Sequence, residues 1–502
     1  MLVAAACSLA DAQTWRISPT FSFESTLTDN VNLAPSDQRK SDWVNEFRPG
    51  VRFTEVGAHS KLAGSISVPM LVYARTGGEN NYATPNVAIS GTYEAIERFF
   101  FIDATANVSP QFLSPFGTRS SSLANASANR YTSQSYTISP YIRGGDSNYV
   151  NYELRQQSIW SDASGISTGS STNRSYTSNV NGYVTRQPLP AGATLEYHRS
   201  DIRFSDIANA GSNSETTEIA RLRGLYQFDP AFRVSGSVGY ENNQFFFTEE
   251  RGTTYGAGFV WHPTDRTNLN ATYEHRFFGA SYNVAFDHRT PLSVWSIAAS
   301  RDITSYPQQI AGLPAGDVDT LLNALFSSRV PDPGQRQSLV DQLIRDRGLP
   351  SQLSGPLAIY AQQITLVEQA RATFGILGAR NSIFFSAYHT RNEPAARTDE
   401  ALAPLIPLLS NTTQNGFNVA WNHQLAPTLT LSANGDASRT TDNTATGVST
   451  RFYTVKATLS RVLSALTSAY AGARYQRSLS DSDFAANYSE FAVFVGFTHT
   501  FH

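Results

Sequence analysis

Nine histidines, one cysteine and a few acidic pairs are the residues of this chain that could do chemistry, and their spacing assembles none. No HExxH frame sets two imidazoles on one helix face for zinc. No GxSxG elbow presents a serine nucleophile, and no glycine-rich phosphate loop is present. Asp317 with Asp319, and Asp481 with Asp483, have the composition of Ca2+ ligands, but solvated loop carboxylates are the plainer reading. A hydrolase would need a serine or aspartate brought beside a histidine by the fold, and nothing in the order of residues points to such a pair. The expectation is a protein without catalytic residues, cofactor or metal.

What the sequence does space regularly is charge. Arg48, Arg52, Arg75, Arg143, Arg155, Arg221, Arg223, Arg276, Arg371, Lys456 and Arg474 fall on the polar parity of alternating segments. Glu46, Asp103, Glu153, Glu196, Glu241, Glu274 and Asp436 fall on the same parity. Lining the wall of a pore, basic residues in excess would favour anions. The reading favoured here is that these charges pair across neighbouring strands and solvate the wall.

The elements that must carry this pattern are β-strands, whose side chains point alternately to opposite faces. Trp43, Phe47, Val51 and Phe53 alternate with Asp42, Glu46, Arg48 and Arg52. Val150, Tyr152 and Leu154 alternate with Asn151, Glu153 and Arg155, and Leu269, Ala271 and Tyr273 with Asn270, Thr272 and Glu274. The runs last about 9 to 12 residues, enough to cross a bilayer at a tilt. Short links, as at 144–147, 229–231, 262–266 and 378–380, alternate with long polar ones such as 27–41, 110–132, 161–174, 390–414 and 477–488. One short link near Gly279 falls where a long one is due. Short periplasmic turns and long outer loops are the signature of an up-and-down barrel. The sequence therefore predicts an all-β fold, a transmembrane antiparallel β-barrel of about 22 strands (range roughly 18–22), with both termini in the periplasm.

Trp15, Trp261, Trp295 and Trp421 sit toward the short turns, and Trp43 and Trp160 toward the long loops, as two interfacial belts require. The chain ends in an alternating strand with Gly496 and Phe501, which resembles the insertion signal of outer-membrane barrels, although His502 follows the aromatic. Residues 303–362 interrupt the strand pattern. Apolar residues at helical spacing predict helices over 317–327 and 333–347, in a link on the outer side. This insert is the candidate lid, constriction or plug of a wide lumen. A helical hairpin resting on the rim is the alternative.

Composition agrees. Charged residues make up 16% of the 502 residues and aromatics 12%, poorer in charge than an ordinary soluble domain. Mean hydropathy is −0.29, and no run of about 18 apolar residues follows the N-terminus, which excludes a helical membrane protein. A net charge of −3 argues against a nucleic-acid partner. Residues 1–12 read as the remnant of a secretory signal ending Ala10-Asp11-Ala12, with lipidation of Cys7 as the rival. Residues 13–502 then form a single barrel. Its first strand starts at about Trp15 with no plug domain before it, which argues against an energised receptor of the TonB-dependent type.

Thr28-Asp-Asn-Val-Asn-Leu-Ala-Pro-Ser36, Lys40-Ser-Asp-Trp43 and Pro49-Gly-Val-Arg-Phe53 resemble the outer-membrane protein family associated with the PEP-CTERM/exosortase sorting system. Phe99 to Pro115, Ser300 to Thr304 and the helical insert are similar to that family too. The resemblance implies a role in exopolysaccharide export or the surface assembly that accompanies it, and carries no catalytic residue. Expected partners are outer-membrane lipid and lipopolysaccharide, the barrel-assembly machinery, and exopolysaccharide or export components. The function expected is a porin-like channel of a Gram-negative outer membrane. The alternatives are a solute-closed barrel that binds polymer or proteins through its outer loops, and an outer-membrane hydrolase.

Overall fold

The computed structural model describes residues 14–501 except 147–148, 165–173, 206–212, 247, 312–316, 328, 333–334, 338, 341–342, 345–352, 359–360, 362, 397–410, 445–446 and 483–486. The signal remnant, Cys7, Asp483 and His502 lie outside the described residues. Strands adjacent in sequence pair antiparallel from Thr14–Thr28 onward. The last strand, Tyr488–Thr500, closes onto the first with Phe23 opposite Phe497. A closed wall leaves no strand edge for lipid to meet.

Twenty-four strand segments form this one sheet. Ser60–Ser67 continues as Met70–Tyr73 past Val68 and Pro69, and Tyr82–Ala83 runs into Asn86–Ile96 past Thr84 and Pro85. The wall thus has 22 strands, the number expected. Proline has no N–H to give a ladder, and the two breaks lie side by side, with the Thr84 N–H donating to the Pro69 carbonyl at 3.2 Å. Beyond them Tyr82–Ala83 pairs with Met70 and Leu71 alone, and Ser109–Phe112 pairs with Arg130–Ser133 alone. Among the described residues no ladder joins Tyr82–Ala83 to Phe100–Phe112, so the wall is split from Val87 and Val108 up to that rim.

Links of two to four residues gather at one rim and longer links at the other, apart from two short links on the long-link rim: the four-residue link 245–248, shorter than the sequence pattern suggested, and the tight Phe277–Phe278 turn, where Gly279 takes φ +93°. Unbroken strands run from 10 residues (Thr267–Arg276) to 17 (Arg130–Asp146). They exceed the expected crossing length because pairing continues into the rims.

The wall is inside-out relative to a water-soluble core. Thr177, Thr412, Gln476 and Ser478 are fully buried facing the lumen, while Leu222, Val238, Val455 and Val495 are exposed outside. Burial in hydrocarbon is worth about 25 cal/mol per Å² of such surface, so this exterior needs a bilayer. Trp15, Trp43, Trp160, Trp261 and Trp295 are exposed on it near strand ends, and Trp421 is half-buried there, its Nε1 donating to Asn381 at 3.2 Å.

Residues 305–364 carry helices Tyr306–Ala311, which the sequence did not signal, and Asp317–Phe326, which it did. Of the second expected helix, 335–337, 339–340 and 343–344 are helical, and much of the remainder lies outside the described residues.

Candidate functional site

The insert leaves the long-link rim at Thr304 and folds down into the barrel. Val318, Leu321, Leu322 and Leu325 pack with Val340 and Leu353 against Val294, Phe384 and Ala420 of the wall, and Leu377 borders them. Val294, Leu377 and Phe384 lie near the short-turn ends of their strands. There Arg329 donates to the Pro291 carbonyl at 3.0 Å, and Arg289 donates to Ser327. At the other end Tyr306 bonds to Tyr131 and, at 3.2 Å, to Ser133. Gln308 donates to Asn179 and Ser200 at 3.3 Å, and the Gln414 side chain brackets Leu357 with two 3.0 Å bonds. The insert is therefore a plug that runs the height of the lumen, the first of the two expected alternatives.

It is not alone there. The link 113–129, expected to project outward, also turns in. The Ser121 N–H donates to Gln476 at 3.0 Å, and Asn125 donates to Glu490 at 3.1 Å. Glu490 also accepts from Thr28 and Arg474, both at 2.8 Å. Ala124 of this link packs with Val31, Val44, Leu71 and Tyr73 in an apolar cluster. Val44, Leu71, Ile202, Val294 and Phe384 are apolar on the parity that should be polar. That breach of alternation is the signal in the sequence that something docks inside.

Six of the expected lumen cations sit beside carboxylates. Arg48 pairs with Glu46, and Arg155 reaches Asp103 at 2.7 Å and Glu153 at 2.9 Å. Arg221 grips Glu274 with two bonds of 2.7 and 2.8 Å, and Arg223 reaches Glu196 at 3.2 Å. Arg276 meets Glu241 at 2.9 Å and also Asp302, and Arg474 meets Glu490. Arg143 lies 4.2 Å over the Phe101 ring and Lys456 4.7 Å over Phe494. Arg371 borders a cavity against plug residues Gly355–Ala358, and Arg52 is exposed on the lumen parity near the short turns. Arg75 is a correction: the chain has turned at 74–76, so its guanidinium lies on the rim and donates to Ser41 at 2.8 Å rather than facing the lumen. Parity reasoning also missed the inward acids Glu24, Glu490 and Asp302. The rule that turns Phe23 and Phe491 outward would have placed the first two. Asp436, the remaining acid, accepts from Asn418 at 2.6 Å. The wall carries matched charge rather than a cationic ring.

Space remains beside the plug. A cavity of about 510 Å³ in the short-turn half is walled by Asn181, Glu196, Arg221, Arg223, Arg233 and Thr272 among others. It shares His198 and Arg221 with a second of about 270 Å³. That one shares Asp302, Thr304 and Gln308 with a third of about 600 Å³ beneath Leu357 and Tyr388. The shared residues string these voids along one side of the plug.

Among the described residues no group of His, Cys, Asp and Glu could hold a metal ion. No serine there hydrogen-bonds a histidine; the hydroxyls found beside His288 and His499 belong to their cross-strand partners Thr267 and Thr467, at 2.8 Å at the short-turn ends of the strands. Asp319 holds Asn323 and Gln337. In the last strand Gly496 makes room for Tyr470 and the Phe23 carbonyl, and Phe501 packs edge-on to His499 at 4.5 Å.

No protein-family model and no curated protein matches the chain. Among solved structures, it is similar to the FrpB iron transporter from Neisseria meningitidis. The F5-1 variant gives a TM-score of 0.50 at 8% identity, over 96% of this chain and 82% of that one. The F3-3 variant gives 0.50 at 8%, over 96% and 81%. The siderophore receptor PirA from Acinetobacter baumannii gives 0.48 at 9%, over 97% and 80%. At these identities the likeness is one of fold. A closed 22-strand wall, apolar outside and polar within, has one kind of home: the chain is an integral β-barrel of a Gram-negative outer membrane.

Proposed function

We propose that the barrel is a gated channel, held shut at rest by residues 305–364, with the inturned link 113–129 lining the lumen beside them, and associated with exopolysaccharide export or the PEP-CTERM sorting system. The observation that carries this reading is the apolar seam between helix Asp317–Phe326 and the inner wall, alongside a string of polar cavities that leads past it. A channel that must pass hydrated cargo keeps its wall polar, and movement of one docked segment would join the voids. The matched charges of that wall suit a neutral or mixed-charge saccharide better than a strongly anionic one, since rings of one sign are what select ions. The link to polysaccharide comes from the resemblance of residues 28–53 and 99–115 to the exosortase-associated family. The protein works by passage rather than chemistry, and its closing strand serves the barrel-assembly machinery.

The test is conductance in planar bilayers, comparing the full chain with one in which 305–362 is replaced by a short flexible link. The full chain is expected to sit closed with brief openings, and the deleted form to conduct steadily. A folded deletion that remains sealed would sink the proposal and favour a solute-closed structural barrel. The inturned link 113–129 speaks against that second reading, because a segment buried in the lumen is not free to hold surface polymer.

A further inference from the structure

A second set of arginines lies on the outside of the barrel. Arg439, Arg451 and Arg477 stand on three consecutive strands, Leu429–Asp442, Ser449–Ser464 and Thr467–Ser480, near their long-link ends. Their neighbours Thr440, Thr450, Gln476 and Ser478 are buried on the lumen side, so alternation turns the three guanidinium groups outward, and all three are exposed. Arg439 and Arg451 are direct cross-strand partners. Arg477 lies opposite Tyr453, one outward position along from Arg451. On the far side Arg477 faces Ser489, whose hydroxyl accepts from Arg39.

Like charges set directly opposite each other destabilise a sheet. Here nothing in the described protein offsets them: no carboxylate lies within 4.0 Å of any of the three among the described residues. Asp481, on the same rim, accepts from Ser449 at 3.0 Å. Most other outward arginines at this height are matched, and Arg203, which has no carboxylate within 4.0 Å among the described residues, faces Tyr176 and Ser214 rather than a second arginine. Arg174 meets Asp162 at 3.0 Å, Arg199 meets Asp201 at 2.9 Å, and Arg251 and Arg391 meet Glu249 and Glu393.

Depth identifies the missing counter-charge. From Arg451 and Arg477 the next outward positions toward the middle of the wall are Tyr453 and Tyr475, with Phe491 on the adjoining strand, followed by Val455, Val493 and Val495, all exposed; from Arg439 it is Ala437, beside Tyr453. Aromatic rings mark the membrane interface and the aliphatic band marks hydrocarbon, so the guanidinium groups stand at headgroup height. Neighbouring strands are about 4.8 Å apart, so the three arginines span about 10 Å. The guanidinium fork binds phosphate with two parallel N–H bonds. The geometry points to a binding site for the phosphate groups of a phosphorylated saccharolipid in the outer leaflet, held by Arg439, Arg451 and Arg477. This site is independent of whether the lumen conducts.

The test uses the full chain in neutral detergent, titrated with bisphosphorylated lipid A and with its dephosphorylated form, and read by native mass spectrometry. At about 1 kcal/mol per arginine near a charged headgroup, R439Q/R451Q/R477Q should bind the bisphosphorylated lipid on the order of 100-fold more weakly. The control R174Q/R251Q/R391Q removes as many charges from matched sites and should stay within a few-fold of the parent. Dephosphorylated lipid should not distinguish the triple variant from the parent. Each preparation is first checked for the unheated, folded band in SDS gels. Should the triple variant fail to fold, R451Q alone relieves the opposed pair and is expected to fold at least as well as the parent while binding more weakly. Equal binding by parent and arginine variants, or an equal loss in the control, would overturn the site. Displacement of the lipid by millimolar inorganic phosphate would show a free-anion site and overturn the lipid assignment.

Discussion

The docking of the plug can be weakened without touching the wall, through Leu322 and Leu325. Leu322 is 0% exposed and Leu325 is 6% exposed, and both meet the wall at Val294, Phe384 and Ala420. A buried Leu→Ala change costs about 2–5 kcal/mol, the spread reflecting how far the site collapses. The double variant L322A/L325A should therefore lose about 5 kcal/mol or more of docking free energy. The strand ladders that hold the barrel are untouched, so the loss falls on the docked–undocked equilibrium. At about 1.4 kcal/mol per tenfold, the undocked fraction should rise by at least a thousandfold, roughly. Single-channel recording reads this as open probability, which should climb from rare events toward the steady conductance of the plug-deleted form. A folded double variant with the parent's open probability would refute the idea that this apolar seam holds the channel shut.

Three further outcomes follow from the geometry. Glu490→Gln leaves Arg474 buried without its anion, a loss of about 3–5 kcal/mol. It should lower the thermal midpoint and expose residues 113–129 to added protease. Gly496→Ala places a Cβ 2.5 Å from the Phe23 carbonyl and 2.7 Å from the Tyr470 ring, at the seam where the barrel closes. Overpacking of about 1–3 kcal/mol should reduce the folded band in unheated SDS gels. Glu274→Gln frees Arg221 from its bidentate partner. In the plug-deleted barrel it should move the reversal potential in a salt gradient toward anions, whereas the parent wall should discriminate weakly.

The exterior was the legible half of this protein. A period of two needs no tertiary information, so the outward facing of Trp43, Leu154, Leu222, Tyr273 and Phe491 could be read directly, and the alternation of link lengths gave the strand count. The lumen was less legible for physical reasons. An amphipathic helix presents the same stripe whether it rests on a rim or packs on an inner wall, so Leu321, Leu322 and Leu325 announced a helix but not its place. The link 113–129 is polar, and its partners Gln476 and Glu490 are hundreds of residues away, so no local pattern could dock it. Arg75 was misplaced by carrying parity past the end of a strand. The charge pairing was visible only as a balance of types: Arg155 with Asp103 depends on register between strands, which alternation alone does not set.

The proline breaks at Pro69 and Pro85 bear on the membrane as much as on the protein. Above them, the facing backbones of Tyr82–Ala83 and Ser109–Phe112 have no ladder between them, and peptide groups left without partners cannot be bathed in acyl chains. On this flank, then, hydrocarbon can rise no higher than the break beside residues 82–85, beyond which water and headgroups meet the open backbone. The protein itself sets the level at which the membrane surface stands there.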